Sequence, residues 1–429
     1  MATTTTPDQW IRTTAQDIAS TEPRSIVSGP FGSSIGRRFF VEDGVPVIRG
    51  SNLSFGEVYF RDEGFVFLTA EKAEEFRNCQ AVPGDIVFTA AGTIGQVGLI
   101  PPTSKYPLYI ISNKQLRLRP DTERCDPKFL FYWFTQPSMR AHIEQANTGS
   151  SIPLINLGIL RSLPVLLPPL ETQRRIAAIL GAYDDLIEVN RRRVAVLEEM
   201  ARGLFEEWFV RFRFPGHEDV PIVDTPGGPL PEGWEWGTFS KIAPEVRETL
   251  SPSSVDAETP YVGLEHLPRR STTLNNCGAA TDVDSTKARF RRGDILFGKI
   301  RPYFHKVVWA PFDGIASTDA IIWRPDPRLA ARALQIASSD AFVAHSVQTS
   351  NGTKMPRANS KVLANYPCAM PSAHLSQQFE GVVMPMVEQA AVLQKANEKL
   401  TAARDLLLPR LISGQLSVEA AERQLENAA

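Results

Sequence analysis

The sequence predicts an α+β protein in which two similar mixed α/β domains are separated by a long antiparallel two-helix coiled coil, arranged as a pseudo-two-fold internal repeat. Three observations support this fold class. Two long segments carry apolar residues at alternating steps of three and four. Strand and turn motifs of the first half recur in the second half in the same order. In both halves a strand-rich segment comes first and a long helical segment follows it.

The first long helix is predicted between Leu170 and Phe209. Steps of four and three separate its seam positions, a spacing typical of a helix that packs lengthwise on another helix. Its polar position, Asn190, costs stability when buried but fixes the register of the pair. The seam positions are Ile176, Leu180, Tyr183, Ile187, Asn190, Val194, Leu197, Ala201, Leu204 and Trp208.

A second long helix is predicted near the C-terminus with the same spacing. It also has one amide in its seam, Asn397, which lies at the opposite letter of the heptad from Asn190. Because a and d layers face each other in an antiparallel pair, the two Asn side chains are predicted to meet. The alternative is two ordinary amphipathic helices, each packed on its own domain. The central seam positions of the pair are Ile187, Asn190, Val194, Leu197, Leu393, Asn397 and Leu400.

The composition is that of an ordinary globular protein, with 429 residues, 43% hydrophobic and a formal net charge of -2. No run of 18 apolar residues predicts a membrane span, and the N-terminus lacks the features of a signal peptide. The four Cys are scattered without a CxxC motif, so free thiols, a cytoplasmic chain and no zinc site are expected. The net charge argues against non-specific coating of nucleic acid, but it permits DNA binding through one basic face.

The order of predicted elements sets the domain boundaries. Strand-rich patterns end at a Pro-Pro pair, the first long helix follows, and a segment rich in Pro and Gly leads into the second strand-rich region. The predicted segments are 1–168 for the first domain, 169–213 for the first long helix, 214–371 for the crossover segment and second domain, and 372–429 for the second long helix and the C-terminal tail.

Motifs of the first domain have counterparts in the second. The sequence PGDIVF at 83–88 corresponds to RGDILF at 292–297, and TGSSIP at 148–153 corresponds to NGTKMP at 351–356. Because every pair keeps its order, a tandem duplication of domain plus helix is favoured over chance similarity of strand and turn patterns. Helices of roughly 35 to 40 residues span roughly 50 to 60 Å. The duplication therefore predicts two domains about one and a half DNA turns apart.

The sequence contains none of the common nucleotide-binding, zinc-protease or serine-hydrolase motifs GxxxxGK[ST], HExxH and GxSxG. Asp85 and Asp294 follow glycine at matching positions of the two repeats. They could be a pair of catalytic aspartates, but a Gly-Asp before an apolar strand is more typical of a turn. A duplicated chain without convergent titratable groups indicates a binding scaffold rather than an enzyme.

These residues resemble a known family, the specificity subunits of type I restriction-modification enzymes. The resemblance lies in GDIVFTAAGTIGQVGLI at 84–100, in TGSSIPLINLGILRSLPVLLPPLETQRRIAAIL at 148–180, and most specifically in RDLLLPRLISGQL at 404–416. It also covers the order domain, helix, domain, helix. The entry to the second helix, at 371–385, is a looser version of the first.

The resemblance implies that each domain is a target recognition domain for one half of a bipartite, asymmetric double-stranded DNA sequence. The helices would dock two methyltransferase (modification) subunits, and motor-nuclease (restriction) subunits would cut unmodified DNA. S-adenosylmethionine, ATP and Mg would bind the partner subunits only, and this chain would have no cofactor and no catalytic activity. Alternatives are a specificity subunit of a modification-only or other phage-defence system, a self-contained duplicated nuclease or methyltransferase, and an adaptor that bridges two proteins without DNA.

Candidate DNA contacts are Arg, Lys and amide or hydroxyl side chains on polar loops, because these groups pair with base edges and phosphates. The segment GKIRPYFHK at 298–306 is the strongest patch, since it mixes basic and aromatic residues. Each candidate could instead be a solvated charge or form a local hydrogen bond. The predicted DNA-binding residues are Arg37, Arg38, Arg49, Asn52, Thr93, Gln96, Asn113, Lys114 and Ser151 in the first domain, and Arg269, Arg270, Lys299, Arg301, Tyr303, His305, Lys306, Lys354 and Arg357 in the second.

Overall fold

The computed structural model describes residues 10–149, 151–352 and 354–426. Ser150 and Thr353, one residue in each of the two corresponding loop motifs, lie outside the described residues, as does the end of the predicted tail. The strands are β1 Ile11–Thr14, β2 Ile26–Ser28, β3 Val45–Ile48, β4 Val66–Leu68, β5 Gln80–Ala81, β6 Ile86–Thr89, β7 Val97–Leu99, β8 Tyr109–Ile111, β9 Gln115–Leu118, β10 Pro164–Leu167, β11 Ile222–Thr225, β12 Gly228–Pro231, β13 Glu235–Thr238, β14 Glu245–Val246, β15 Thr249–Leu250, β16 Pro260–Val262, β17 Gly278–Ala279, β18 Lys287–Phe290, β19 Ile295–Gly298, β20 Val307–Trp309, β21 Gly314–Ala316, β22 Ala320–Trp323 and β23 Pro367–Met370.

Two helices are much longer than the others, and a π-helical turn, Glu206–Val210, extends the first of them. Across the described part of the chain, no helix combines the length and apolar character needed to cross a membrane. The helices are α1 Ala70–Glu75, α2 Pro127–Thr135, α3 Pro137–Gln145, α4 Leu157–Ser162, α5 Leu170–Phe205, α6 Phe239–Ile242, α7 Ala330–Ala337, α8 Asp340–Gln348, α9 Ser360–Ala364, α10 Ala373–Ile412 and α11 Val418–Glu426.

The chain forms two compact units, and each contains part of both long helices. The first unit comprises residues 1–186 and 400–429, and the second comprises residues 187–399. The first unit holds one four-stranded sheet of order β2-β9-β6-β7 and another of order β4-β3-β8-β5. The second holds a four-stranded sheet of order β14-β22-β19-β20 and a five-stranded sheet of order β15-β18-β21-β16-β17. The same strand order in the two four-stranded sheets supports the predicted duplication.

The pairing within these sheets also repeats. In the first unit β6 pairs antiparallel with β7 and β9, while β3 runs parallel to β8. In the second unit β19 pairs antiparallel with β20 and β22, while β16 runs parallel to β21. The apolar runs in β6 and β19 are buried along their whole length, as expected for central strands covered on both faces. A domain with one parallel pair inside otherwise antiparallel sheets thus occurs twice.

The two Gly-Asp aspartates have the same structural role in the two units. Asp85 accepts a hydrogen bond from the Val82 amide at 2.9 Å and two from the Arg119 guanidinium at 2.8 and 2.9 Å. Asp294 accepts one from the Arg291 amide at 2.8 Å and two from the Arg324 guanidinium at 2.8 and 2.7 Å.

Each Asp is 1% exposed and ties the turn before one strand to the end of the neighbouring strand. Of the two interpretations left open by the sequence, the turn is the one that these contacts support. Asp85 and Asp294 support the sheets of their own units.

In the first unit the two long helices pack against the strand-rich domain and against each other. Ile176 and Leu180 of α5 share one core with Leu408 and Leu411 of α10. A buried polar chain crosses this core: the Tyr132 hydroxyl donates to Asp184 at 2.5 Å, and Arg404 donates to the other oxygen of Asp184 at 2.5 Å. Arg404 and Asp184 are 9% and 11% exposed, so this ion pair is almost fully removed from solvent.

In the second unit the helices pair through an uncharged contact. Nδ2 of Asn190 donates to Oδ1 of Asn397 at 3.0 Å, and Nδ2 of Asn397 donates to the carbonyl of Ile187 at 3.3 Å. Further along, the rings of Trp208 and Phe379 lie 5.6 Å apart. Because contacts move forward along one helix and backward along the other, the pair is antiparallel. The structure therefore contains the predicted Asn–Asn contact, and all other predicted seam positions are buried or half-buried.

Candidate nucleic-acid interface

The first unit has a polar cleft of about 580 Å³ beside the ends of β3, β6 and β9. Loops that precede or follow these strands form its walls, and side chains at the strand ends form its floor. The lining residues are Ile35, Phe40, Arg49, Gly50, Ser51, Thr89, Ala91, Gly92, Thr93, Gln96, Ser112, Asn113, Lys114 and Gln115. A cleft that combines amides, hydroxyls and two cations is suited to polar edges and phosphates.

Five of the nine residues predicted in the first domain line this cleft: Arg49, Thr93, Gln96, Asn113 and Lys114. Arg37 and Arg38 lie on a short 3-10 turn, between the lining residues Ile35 and Phe40 in sequence. Ser151 is exposed in a loop whose Pro153 carbonyl accepts a hydrogen bond from the Gly92 amide at 2.9 Å. The structure thus brings most of the predicted residues to one place.

Asn52 is buried, in contrast to its neighbours in the predicted set. Its Oδ1 accepts a hydrogen bond from the Arg49 amide at 2.9 Å, and its Nδ2 donates to the carbonyls of Arg61 and Glu63. In the second unit Nδ1 of His266 accepts from the Gly263 amide at 2.9 Å in the same way. Asn52 holds the loop that carries Arg49, and its side chain has no exposed surface.

Thr89, Ser112 and Gln115 are cleft residues that the sequence did not single out. Thr89 ends β6 and Gln115 begins β9, and the two residues face each other in the antiparallel ladder. Gln115 is 1% exposed and Thr89 is 3% exposed. Polar side chains at buried strand ends were the available signal, but the strand pattern alone gives no reason to place them together.

The second unit has a smaller cleft of about 280 Å³ that is cationic and aromatic. It is lined by Leu264, Glu265, Ile300, Arg301, Phe304, Lys306 and Met355. The Arg269 guanidinium lies 4.0 Å from the centre of the Phe304 ring, a cation–π contact that leaves the charge at the surface. The backbone of Arg301 is left-handed, with φ of 50°, which is uncommon for a residue with a side chain.

The loop that carries Arg269 and Arg270 is held by α5. Oε1 of Glu198 accepts hydrogen bonds from the Thr272 amide and the Thr273 amide, both at 2.9 Å, and from the Ser271 hydroxyl at 2.8 Å. A carboxylate that accepts several backbone and hydroxyl donors fixes the loop firmly. The position of the two Arg residues therefore depends on the long helix.

Other predicted residues of the second domain make internal contacts. Nζ of Lys306 donates to the Leu264 carbonyl, and burial lowers the pKa of Lys306. His305 is 7% exposed, and its Nε2 donates to the Ser338 carbonyl at 2.6 Å. Arg270 pairs with Asp340 at 3.1 Å, and Arg357 lies 3.7 Å from Asp319. Tyr303 and Lys354 are exposed and Lys299 is half-buried.

Exposed apolar side chains occur on the helix pair of the second unit. Val189, Val196 and Val392 are 42%, 57% and 61% exposed. A shallow groove of about 440 Å³ is lined by Val189, Arg192, Arg193, Val196, Leu197, Gln389 and Leu393. Among the residues that the structure describes, no three His, Cys, Asp or Glu side chains are grouped so that they could hold a metal ion.

Comparison with known proteins gives one family match and several similar proteins. Residues 44–199 match the family described as "Type I restriction modification DNA specificity domain". The MjaIX type I restriction enzyme specificity subunit of Methanocaldococcus jannaschii is 25% identical over 391 residues, which cover 87% of each chain. The EcoDI specificity subunit of Escherichia coli is 25% identical over 328 residues, covering 67% of this chain and 70% of that one.

The fold matches as well. The crystal structure of the type I restriction-modification S subunit from M. genitalium superposes with a TM-score of 0.54 at 15% sequence identity, covering 96% of this chain and 98% of that chain. At this identity the match concerns the fold alone. Taken together, the domain match and the two relatives show that the chain is similar to type I restriction-modification specificity subunits, and it shares the fold of one of them.

Proposed function

We propose that this chain is the DNA sequence-specificity subunit of a type I restriction-modification complex. It binds a bipartite, asymmetric target in double-stranded DNA, and each unit recognises one half of the target. It docks two methyltransferase subunits, and motor-nuclease subunits join the complex to cut unmodified DNA. The chain itself is non-catalytic, and S-adenosylmethionine, ATP and Mg bind to the partner subunits.

The proposal rests on one observation: the two units share one arrangement of sheets, here called the frame, but their clefts differ. The Asp85–Arg119 and Asp294–Arg324 contacts hold equivalent strands in the two units. Beside this frame, the first unit has a cleft with glutamine amides and the second has one with arginine and phenylalanine. Two copies of one binding scaffold with different recognition groups are suited to two unlike half-sites.

Cationic and polar groups at the cleft edges are suited to DNA. Arg49 and Lys114 in the first unit, and Arg269 and Arg301 in the second, combine positive charge with surface loops. Phosphate contacts from such residues give affinity and register, whereas amides and guanidinium groups that reach the major groove read base edges. The net charge of -2 is compatible with this role because each cleft is lined by cations of its own.

The helix pair supports docking of the methyltransferase subunits. The groove beside Val189 and Val196 is apolar, and Arg192 and Arg193 flank it. Exposed apolar groups with a polar rim are typical of protein interfaces. Within the pair, the Asn190–Asn397 contact fixes the register and so keeps this surface constant.

The test is to co-express the chain with the methyltransferase subunits of its own system and to sequence adenine methylation in the host genome. We expect a split motif with two unlike halves, present only when this chain is included. Electrophoretic shifts with a duplex that carries the motif and with a scrambled duplex then measure binding. Methylation or cleavage by the isolated chain would favour the self-contained enzyme, and stable binding of the partner proteins without any DNA binding would favour the adaptor.

A further inference from the structure

Two glutamine amides on the floor of the first cleft are each held by a neighbouring hydroxyl. The Thr89 hydroxyl donates to Oε1 of Gln96 at 3.1 Å, and the Ser112 hydroxyl donates to Oε1 of Gln115. In both cases the hydroxyl uses one of the two lone pairs of the amide oxygen. Among the described residues, the Nε2 groups of Gln96 and Gln115 donate to no other protein atom. The Nε2 group of Gln115, which lies beside Gly50, is therefore available to donate to a ligand in the cleft.

These groups converge on one point, and Gly50 leaves that point open. A Cβ placed on Gly50 would lie 3.5 Å from Oε1 of Gln96, 3.9 Å from Oγ1 of Thr89 and 4.0 Å from Nε2 of Gln115. Gln115 is 1% exposed and lines the cleft, with its Nε2 group beside Gly50. A donor at a cleft wall that has no protein partner can be satisfied by a ligand or by water.

The side chains around this point supply mainly donors. Arg49 and Lys114 line the same cleft and add cationic N–H groups. The major-groove edge of guanine has two acceptors, N7 and O6, whereas the edge of adenine has one acceptor and one donor. The donors of Gln115, Arg49 and Lys114 outnumber the acceptor that Gln96 offers through its remaining lone pair, and this excess of donors matches the two acceptors of guanine.

We propose that this cleft reads one guanine of the first half-site through its N7 and O6 acceptors, and that Gln115 is the residue that determines this preference. The proposal rests on the proposed function, because it names the base that the first unit of a DNA specificity subunit selects. Thr89 and Ser112 are positioning residues, because their hydroxyls hold the amide oxygens of Gln96 and Gln115.

The second unit lacks this arrangement at the equivalent place. Thr89 and Gln115 face each other at the end of the β6–β9 ladder, and Gly298 and Ala320 occupy that place in the β19–β22 ladder. Neither Gly298 nor Ala320 has a polar side chain. The effect of changing the amides must therefore be confined to one half of the DNA target.

The experiment compares adenine-methylation motifs made by complexes of the methyltransferase subunits with wild-type chain, Gln115→Met and Gly50→Ala. Methionine keeps the volume of Gln115 but has no amide. Alanine at Gly50 places a methyl group over the convergence point at ordinary contact distances, so this variant is expected to fold. It therefore keeps the test possible if the Gln115 variant does not fold. Gln145→Met, an exposed substitution at the end of α3, is the matched control.

We expect both cleft variants to accept other base pairs at one G·C position in one half of the motif, with the other half unchanged and Gln145→Met identical to wild type. In anisotropy titrations with duplexes that differ at that pair, discrimination should fall by about 10- to 100-fold. An unchanged motif in both variants, or relaxation at an A·T pair, overturns the inference. If wild-type complexes make no split motif, the proposed function itself fails.

Discussion

The clefts of the two units differ although the sheets beside them are alike. In the first unit the end of the central ladder carries Thr89 and Gln115, and in the second the equivalent residues are Gly298 and Ala320. The buried carboxylates Asp85 and Asp294 make the same contacts in both units. The difference teaches that the two units keep the same buried ion pairs, whereas the side chains at the strand ends beside the clefts differ between them.

The largest expected effect tests the frame. Asp85→Ala removes the buried acceptor of Arg119 and takes the nearest carboxylate away from Arg117, which is 5% exposed and lies 3.8 Å from Asp85. Breaking a buried pair in this way costs about 3–5 kcal/mol of unfolding free energy. Asp294→Ala should cost about 3 kcal/mol, because Ile322 replaces the buried Arg at the equivalent position.

Urea unfolding followed by circular dichroism measures both losses, and limited proteolysis identifies the unit that opens first. Equal losses for the two variants would show that Arg117 does not depend on Asp85. Lys354→Ala, an exposed substitution in the second unit, serves as the control and should leave stability unchanged.

The polar contact between the two long helices also differs between the units. The first unit uses the Arg404–Asp184 ion pair, and the second uses the neutral Asn190–Asn397 contact. Arg404→Met should cost about 3 kcal/mol, because it leaves the buried carboxylate of Asp184 without its cationic partner. Thermal unfolding of the variant measures the loss, and Asp184→Asn in the Arg404→Met background should recover part of it. No recovery would mean that the charge of Asp184 is not the cause.

The neutral contact should respond differently. Asn190→Leu leaves Asn397 with an unpaired Oδ1 in a buried seam and should cost about 1–3 kcal/mol. The double variant Asn190→Leu/Asn397→Leu removes both polar groups and should be close to wild type in stability, while register specificity decreases. Urea unfolding of the two single variants and the double variant forms the cycle. A double variant less stable than either single one contradicts this account.

The sequence could predict those features that depend on residues close together in the chain, but not those that join distant segments. The Asn190–Asn397 contact follows from a heptad spacing that can be counted along each helix, and the structure contains it. The duplicated Gly-Asp turn is also a local pattern. By contrast, the convergence of Gln96 and Gln115 on Gly50 joins three separate loops and strands, and no periodicity encodes it.

Arg49 and Asn52 also show what residue type and sequence position cannot predict. Arg49 lines the first cleft, whereas Asn52, three positions later, is buried under the loop and bonds to its backbone. Both are polar and lie in one predicted loop, so residue type and sequence position could not separate them. The tertiary hydrogen bonds of Asn52 to Arg61 and Glu63 decide its role. Direct DNA contact by each predicted residue therefore remains a prediction.

Replacing a basic side chain should affect DNA binding differently in the two clefts. Arg301→Ala removes a guanidinium from the second cleft and should weaken binding of the cognate duplex by about 1–3 kcal/mol if the contact is to a base. Lys114→Ala in the first cleft should weaken cognate and scrambled duplexes alike and lower the salt dependence by about one unit if the contact is to a phosphate. Electrophoretic titrations at several salt concentrations distinguish the two cases. Equal losses on all sequences for Arg301→Ala would assign it to the backbone.

The smallest expected effect is a pH dependence confined to the second unit. Burial is the main cause that lowers the pKa of His305, and its neutral ring donates from Nε2 to the Ser338 carbonyl. The unfolded chain binds a proton at this His more readily than the folded chain does. Its contribution to stability is therefore complete above the unfolded pKa of about 6.5 and is lost as the pH falls through that value.

His305→Asn tests this dependence, because asparagine tolerates the left-handed backbone at this position, where φ is 54°. We expect the wild type to lose its stability advantage over the variant between about pH 7.5 and pH 5.5, as measured by urea unfolding at each pH. The equivalent loop of the first unit, residues 90–96, contains no His. A constant difference across this range would show that His305 is not the group that titrates, and the two units would then differ in their clefts but not in their response to pH.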